Sequence, residues 1–307
     1  MKRGIGIRVA VVVFLCGLVP GAASAGGVGL DAYALGGILT GGGDYDWWYG
    51  CSPTSTGTLL GYYDRVGYAG QSYGNLIPGG VAEAETFTGP PTGWDSLAAT
   101  AIASVGHVQD FYVAPFGQSG DDTTGPVHAF DCLADFMGTS QDAVGNSNGT
   151  TTFYFYNDGS AFSASDAVAG GVRDDSGTYG IGEYLAYVGY GAEALFNQYI
   201  AERGLAYGFT LDDYVAEIDA GRPVLIHTEN HTLCGIGYDD ADPSRIHVYD
   251  TWSPGPHPMD WAGTYGGAEQ VGVTVLRLST VPEPLTASAA GLALLALGGY
   301  LRRRRVA

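Results

Sequence analysis

The sequence predicts an α+β fold, and three observations carry the prediction. Up to Gly221, apolar residues recur at helical spacing in several segments. Beyond Gly221 the period shortens to that of strands. The strand-like runs are separated by turn clusters such as DDADPS and SPGPHP. Helices followed by consecutive short strands are the pattern of helices packed on a C-terminal antiparallel sheet.

Residues 1–25 carry Lys2, Arg3 and Arg8, then the apolar run VAVVVFLCGLV, then AASA before Gly26. That order is a secretory signal peptide, and Cys16 is expected to leave with it. Residues 26–44 form a glycine-rich lead-in, and 45–279 are one domain. Within that domain, WWYGCSPTSTGTLLGYYDRVGY (47–68) predicts a helix with Ser52 as cap, Pro53 at the first helical position and Gly67 as stop. DSLAATAIASV (95–105), capped by Asp95, and PVHAFDCLADFMG (126–138) predict two more. Residues 140–180 are polar and turn-rich, apart from a strand at TTFYFY. EALFNQYIAERG (193–204) and TLDDYVAEIDAG (210–221) have helical spacing. PVLIHT, HTLCGIGY, RIHVYDTW and VGVTVLRL then predict strands.

The tail, 281–307, reads VPEPLTASAAGLALLALGGYLRRRRVA. Residues 285–301 are apolar and long enough to span a bilayer, and Arg302 to Arg305 are a basic stop. The Val281-Pro282-Glu283-Pro284 opening, the apolar stretch and the arginine cluster together resemble a PEP-CTERM sorting signal. That resemblance implies an exosortase-type machinery as a partner. It also implies export to the envelope or outer surface of a Gram-negative bacterium, with transient anchoring in the inner membrane.

Residues 26–281 hold six arginines and no lysine against 31 carboxylates, a formal charge of −25. Such a surface excludes nucleic acid and anionic lipid as partners of the domain. Three cysteines follow the signal, Cys51, Cys132 and Cys234. The odd count leaves one unpaired or paired between chains, and a Cys132–Cys234 bridge would make Cys51 the free thiol.

A thiol nucleophile needs a lowered pKa, a base and a group that orients the base. Cys51 heads a predicted helix, whose N-terminus favours a thiolate. His231 opens the strand HTLCGIGYDD and Asp250 lies on the next, RIHVYDTW, so antiparallel pairing would set base beside orienter. His227 is a second candidate base, while His107 and His128 show no orienting carboxylate. Cys132 with His128 would be half a zinc site, but no second ligand pair follows, so no metal or cofactor is expected.

The motifs YGCSPTSTGTLLGYYDRVGY, EIDAGRPVLIHTENHTLCGIGYDD and IHVYDTW resemble the papain-like cysteine peptidases of the bacteriocin-processing (double-glycine) peptidase-like family. The resemblance implies a papain-like fold over 45–279, a peptide or protein substrate and a thioester acyl-enzyme. It also implies Cys51 as nucleophile, His231 as acid/base and Asp250 as orienter. That family places a glutamine about six residues before the cysteine to hold the oxyanion. Here Tyr45 stands there, which makes its hydroxyl the oxyanion candidate, with the Trp47 or Trp48 indole as substitutes. The missing amide also raises a second expectation, a weak or inactive papain-like surface protein that binds peptide or matrix. Amidase and transpeptidase chemistry share the same acyl-enzyme route.

The two terminal signals give a direct expectation. Intact-mass measurement of the exported protein should show residues 1–25 and Arg302 to Arg305 absent; a mass that retains the arginines leaves an ordinary anchor instead.

Overall fold

The computed structural model of the chain describes residues 9–14, 37–84, 96–105, 107, 131–141 and 144–279. The expected sorting tail, its spanning stretch 285–301, most of the expected signal peptide, His128 and Cys16 lie outside them. No helix among the described residues is long and apolar enough to cross a membrane.

Helix α1, Cys51–Val66, is the centre of the fold, buried continuously from Cys51 to Asp64. Two of its buried threonines bond their own backbone: Thr54 Oγ1 donates to the Gly50 carbonyl (2.7 Å) and Thr56 Oγ1 to the Ser52 carbonyl (2.8 Å). Gly67 ends the helix as predicted, its N–H reaching the Tyr63 carbonyl. The start differs from expectation. The helix begins at Cys51, Gly50 precedes it and no side chain caps it. A Cβ at Gly50 would lie 2.8 Å from the Gly149 carbonyl oxygen, so only glycine fits this close approach.

Helix α2 (Leu97–Ile102) is capped by Ser96, not Asp95, and lies on α1. The predicted 126–138 helix is reduced to α3 (Leu133–Phe136) among the described residues. Two helices arise where the sequence looked like loop, α4 (Ala164–Gly170) and α5 (Gly177–Tyr187). Each is announced by a serine cap: Ser163 forms a capping box with Asp166, and Ser176 accepts from the Tyr179 N–H. Helix α6 (Leu211–Asp219) matches its prediction, with a Thr210–Asp213 capping box.

The strands are β1 (Val9–Phe14), β2 (Thr151–Tyr156), β3 (Phe162–Ser163), β4 (Ala192–Tyr199), β5 (Val224–Thr228), β6 (Thr232–Tyr238), β7 (Arg245–Tyr249), β8 (His257–Asp260), β9 (Thr264–Tyr265) and β10 (Ala268–Leu278). β1, inside the expected signal peptide, pairs antiparallel with β2. The main sheet runs β3-β4-β10-β5-β6-β7-β8, antiparallel throughout, with β9 on one end of β10. The predicted helix at 193–204 is a correction: residues 192–199 are a strand. Leu195, Asn197 and Tyr199 are buried while Ala194, Phe196 and Gln198 between them are only partly so, a period of two. Eight residues hold too few turns to separate that period from a helical one.

Both faces of the sheet are covered. Leu225, Cys234, Ile236, Val271 and Leu276 pack toward α1 and its neighbours. Val224, Ile226, Leu233, Ile246, Val248, Val273 and Val275 pack with Tyr214 and Ile218 of α6. Double-sided burial explains why these strands read as nearly continuous apolar runs. α6 is held to the sheet by Tyr214 Oη, which donates to the Gly237 carbonyl (2.8 Å), and by Glu217, which pairs with Arg222 and with Arg277 (2.5 Å).

α5 meets α3 through a glycine. A Cβ at Gly180 would lie 2.0 Å from the Phe136 carbonyl oxygen. Glycine to alanine inside a helix ordinarily stabilises by about 1 kcal/mol. Gly180→Ala should do the reverse and cost ~2 kcal/mol by overpacking, read as a lower denaturation midpoint at unchanged slope.

Candidate active site

The site forms where the head of α1 meets the β5–β6 hairpin. Ser52 Oγ lies 2.9 Å from Thr232 Oγ1, and Ser55 Oγ donates to the Thr232 carbonyl (2.8 Å). Thr232 directly follows His231, and Ser52 directly follows Cys51. The structure therefore brings together the segments that carry the first two predicted site residues.

The hydroxyls form one directed chain. Thr274 Oγ1 donates to Asn197 Oδ1 (2.6 Å), so it accepts from His227 Nε2 (2.6 Å). His227 Nδ1 then accepts from Thr232 Oγ1 (3.2 Å), and Thr232 accepts from Ser52. Burial pushes the His227 imidazole down to about 3. Both its nitrogens are committed, so the alternative base is a structural residue that sets the hydrogen-bond direction at the helix head.

His231 is fully buried at the end of the hairpin, and its backbone carbonyl accepts from the Thr228 N–H (2.9 Å). Its Nε2 lies 2.7 Å from the Asp250 backbone carbonyl oxygen. A carbonyl only accepts, so Nε2 carries the proton of the neutral ring and Nδ1 holds the lone pair. The Trp252 indole, 41% exposed, stacks on the imidazole at 3.9 Å with planes 19° apart. Burial holds the His231 pKa down to about 4, although its contacts with Asp250 pull it up.

Asp250 thus meets His231 through its main chain, where the sequence predicted its carboxylate. The carboxylate builds the turn instead. Oδ1 accepts from the Trp252 N–H (2.8 Å) and the Ser253 N–H (2.9 Å), and Oδ2 accepts from Tyr265 Oη (2.7 Å). That turn, with Thr251 in the left-handed region (φ 63°), aims the carbonyl at His231 and lays Trp252 over it.

Tyr45 is a second correction. Its buried hydroxyl donates to the Glu83 carbonyl (2.5 Å) and packs above Gly61, so it is committed away from an oxyanion. The donors placed at the site are the first-turn N–H groups of α1, which has no side-chain cap.

Cys51 is the third. It is expected as a free thiol, yet it is disulfide-bonded, while Cys132 and Cys234 are both free and buried. The expected odd count holds only after removal of residues 1–25. The whole chain has four cysteines, and the fourth, Cys16, lies outside the described residues.

The approach to the helix head is acidic. The Trp47 N–H donates to the Thr251 carbonyl (2.6 Å) and the Gly255 N–H to Asp44 Oδ2 (2.6 Å), which lays residues 44–49 along the 250–255 turn. Asp44 and Asp46 are each raised to about 6, by burial first and by the Asp250 charge after it. Sequence reasoning missed Trp252 and Tyr265, although Trp252 stands in a quoted motif. Only the folded turn shows which face its ring covers, and Tyr265 arrives from another hairpin.

No family model, curated protein or solved structure matches the chain.

The shifts at this site oppose one another. The raised carboxyls contribute stability that is present below about pH 4 and lost as pH rises through about 6. The depressed His231 contributes stability present above its unfolded value near 6.5 and lost as pH falls toward about 4. Replacing both carboxyls (Asp44→Asn with Asp46→Asn) should remove the first trend, so that stability rises more steeply between pH 4 and 6.5 than in wild type. Denaturant titrations at pH 4.5 and 6.5 measure it.

Proposed function

We propose that the chain is an exported thiol hydrolase of papain-like type that cuts peptide bonds through Cys51 and His231. The observation that carries this reading is the hydrogen-bonded junction of Ser52 with Thr232, together with a His231 ring whose proton sits on Nε2. What supports the reading is that the segment carrying Cys51, at a helix N-terminus, is bonded to the segment carrying His231, in the order and on the elements that the family resemblance implies.

In this reading Nδ1 takes the Cys51 proton and the thiolate attacks the peptide carbonyl carbon. The α1 N–H groups and helix dipole stabilise the oxyanion. His231 then hands the proton to the leaving amine as the C–N bond breaks. Water, deprotonated by His231, splits the thioester, and Cys51 recovers its proton. Asp250 is a positioning residue: its carboxylate holds the turn whose carbonyl fixes the His231 tautomer and whose Trp252 shields the ring.

Only a free Cys51 can react, so in this reading the active form is the one in which the Cys51 disulfide is reduced. The disulfide, and the loss of Tyr45 as a donor, favour a second reading, an inactive papain-like surface protein that binds peptide or matrix. A chain lacking residues 1–25 decides between them. It should be labelled at Cys51 by a thiol-directed probe and should hydrolyse members of a peptide panel, with Cys51→Ala and His231→Ala each abolishing turnover while keeping the fold. Asp250→Asn should lose about ten-fold or less, because an amide oxygen still accepts the turn N–H groups. Wild-type protein that neither labels nor hydrolyses hands the case to the binding reading.

A further inference from the structure

A second polar cluster lies within the helical layer, apart from the site above. His107, Cys132 and Asp135 are all buried, at 0%, 0% and 1% exposure. One ligand atom from each, an imidazole nitrogen, a thiol sulfur and a carboxylate oxygen, lies within 4.8 Å of the others. Cys132 is the residue before α3 and Asp135 lies on its first turn, so both point the same way from one helix start. His107 Nε2 is 2.5 Å from Asp135 Oδ1, and Cys132 Sγ donates to Asp135 Oδ2 (3.4 Å).

We propose that His107, Cys132 and Asp135 form a binding site for a borderline divalent metal ion of the zinc type. Thiolate with imidazole selects such an ion over magnesium or calcium, which prefer all-oxygen shells. The outer contacts a metal site needs are in place. Tyr49 Oη lies 3.3 Å from His107 Nδ1, where it can hold that nitrogen's proton while Nε2 binds. The Asp131 N–H donates to Asp135 Oδ2 (3.1 Å) and orients the carboxylate.

Among the described residues the cluster supplies three protein ligands, and the fourth position of a tetrahedral zinc site falls to water or a further donor. A cavity of about 460 Å³ is lined by Ser104, Asp131 and Tyr187 among others, close in the chain to the cluster but not lined by its three ligands. Asp131 is the residue before Cys132, and the Ser104 backbone bonds the Cys132 sulfur. The Cys132 thiol donates to Asp135 Oδ2 and so carries its proton in the absence of a cation. Binding then exchanges the thiol proton for the metal, and affinity falls as pH falls.

Sequence spacing offers only Cys132 with His128, which lacks a second ligand pair and leads to the expectation of no metal, and it gives His107 no carboxylate partner. Asp135 supplies that partner from 28 residues away. This site does not depend on the peptidase reading.

Cobalt(II) titration of the full chain, stripped with a chelator and kept reduced, tests it. One equivalent should bind with a thiolate-to-cobalt charge-transfer band. The band should survive Cys51→Ala and Cys234→Ala and disappear in Cys132→Ser. His107→Gln and Asp135→Asn should each weaken binding at least ten-fold, with circular dichroism reporting the fold of every variant. In wild type, chelation should lower the melting temperature and zinc should restore it. Folded wild-type protein that gives no band and no zinc-dependent melting shift overturns the proposal, as does a band that persists in Cys132→Ser.

Discussion

The junction between Ser52, Ser55 and Thr232 is the contact on which the rest of the candidate site depends. α1 is buried along nearly its whole length in largely apolar, non-directional packing, and its other directional contacts, such as Tyr63 Oη to the Leu276 carbonyl (3.2 Å), lie toward its far end. Two hydroxyls fixed on one strand residue convert that packing into a register. Because His227 and Thr274 continue the hydrogen-bond chain to Asn197 on β4, the helix head is referenced to four strands of the main sheet. A buried polar chain of this kind is favourable only when every member is satisfied, and here each donor has a named acceptor.

The 250–255 turn provides the second reference. Asp250 separates two tasks that a single side chain often combines. Its carbonyl orients His231, while its carboxylate ties together Trp252, Ser253 and Tyr265. Residues 44–49 lie along the same turn, so the segment that enters α1 and the turn that positions the imidazole share one wall. That wall carries three carboxylates, and burial first, with their mutual repulsion after it, raises Asp44 and Asp46.

Much of this was legible in one dimension. Strong helix ends, such as the Thr210 box, and strand runs buried on both faces, such as VLIHT and VTVLRL, carry their own periodicity. They appeared where expected. Misreadings fell where local signals are short or double. Residues 192–199 satisfy a helical spacing and a strand spacing alike. Ser163 and Ser176 are ordinary residues in a polar stretch until the helices they cap are seen.

By itself the sequence determined the α+β class, the burial periods, and the residue types a thiol site requires: Cys51, His231 and Asp250 in that order. Those follow from local chemistry and from spacing along the chain. Only the tertiary structure decided which atoms meet. The Asp250 carbonyl and not its carboxylate reaches His231, Tyr45 serves Glu83, Cys51 carries a disulfide, and His107 finds Asp135 and Cys132. Hydrogen bonds and ligand shells depend on distances of a few ångströms between residues far apart in the chain, and no spacing in the sequence encodes those distances.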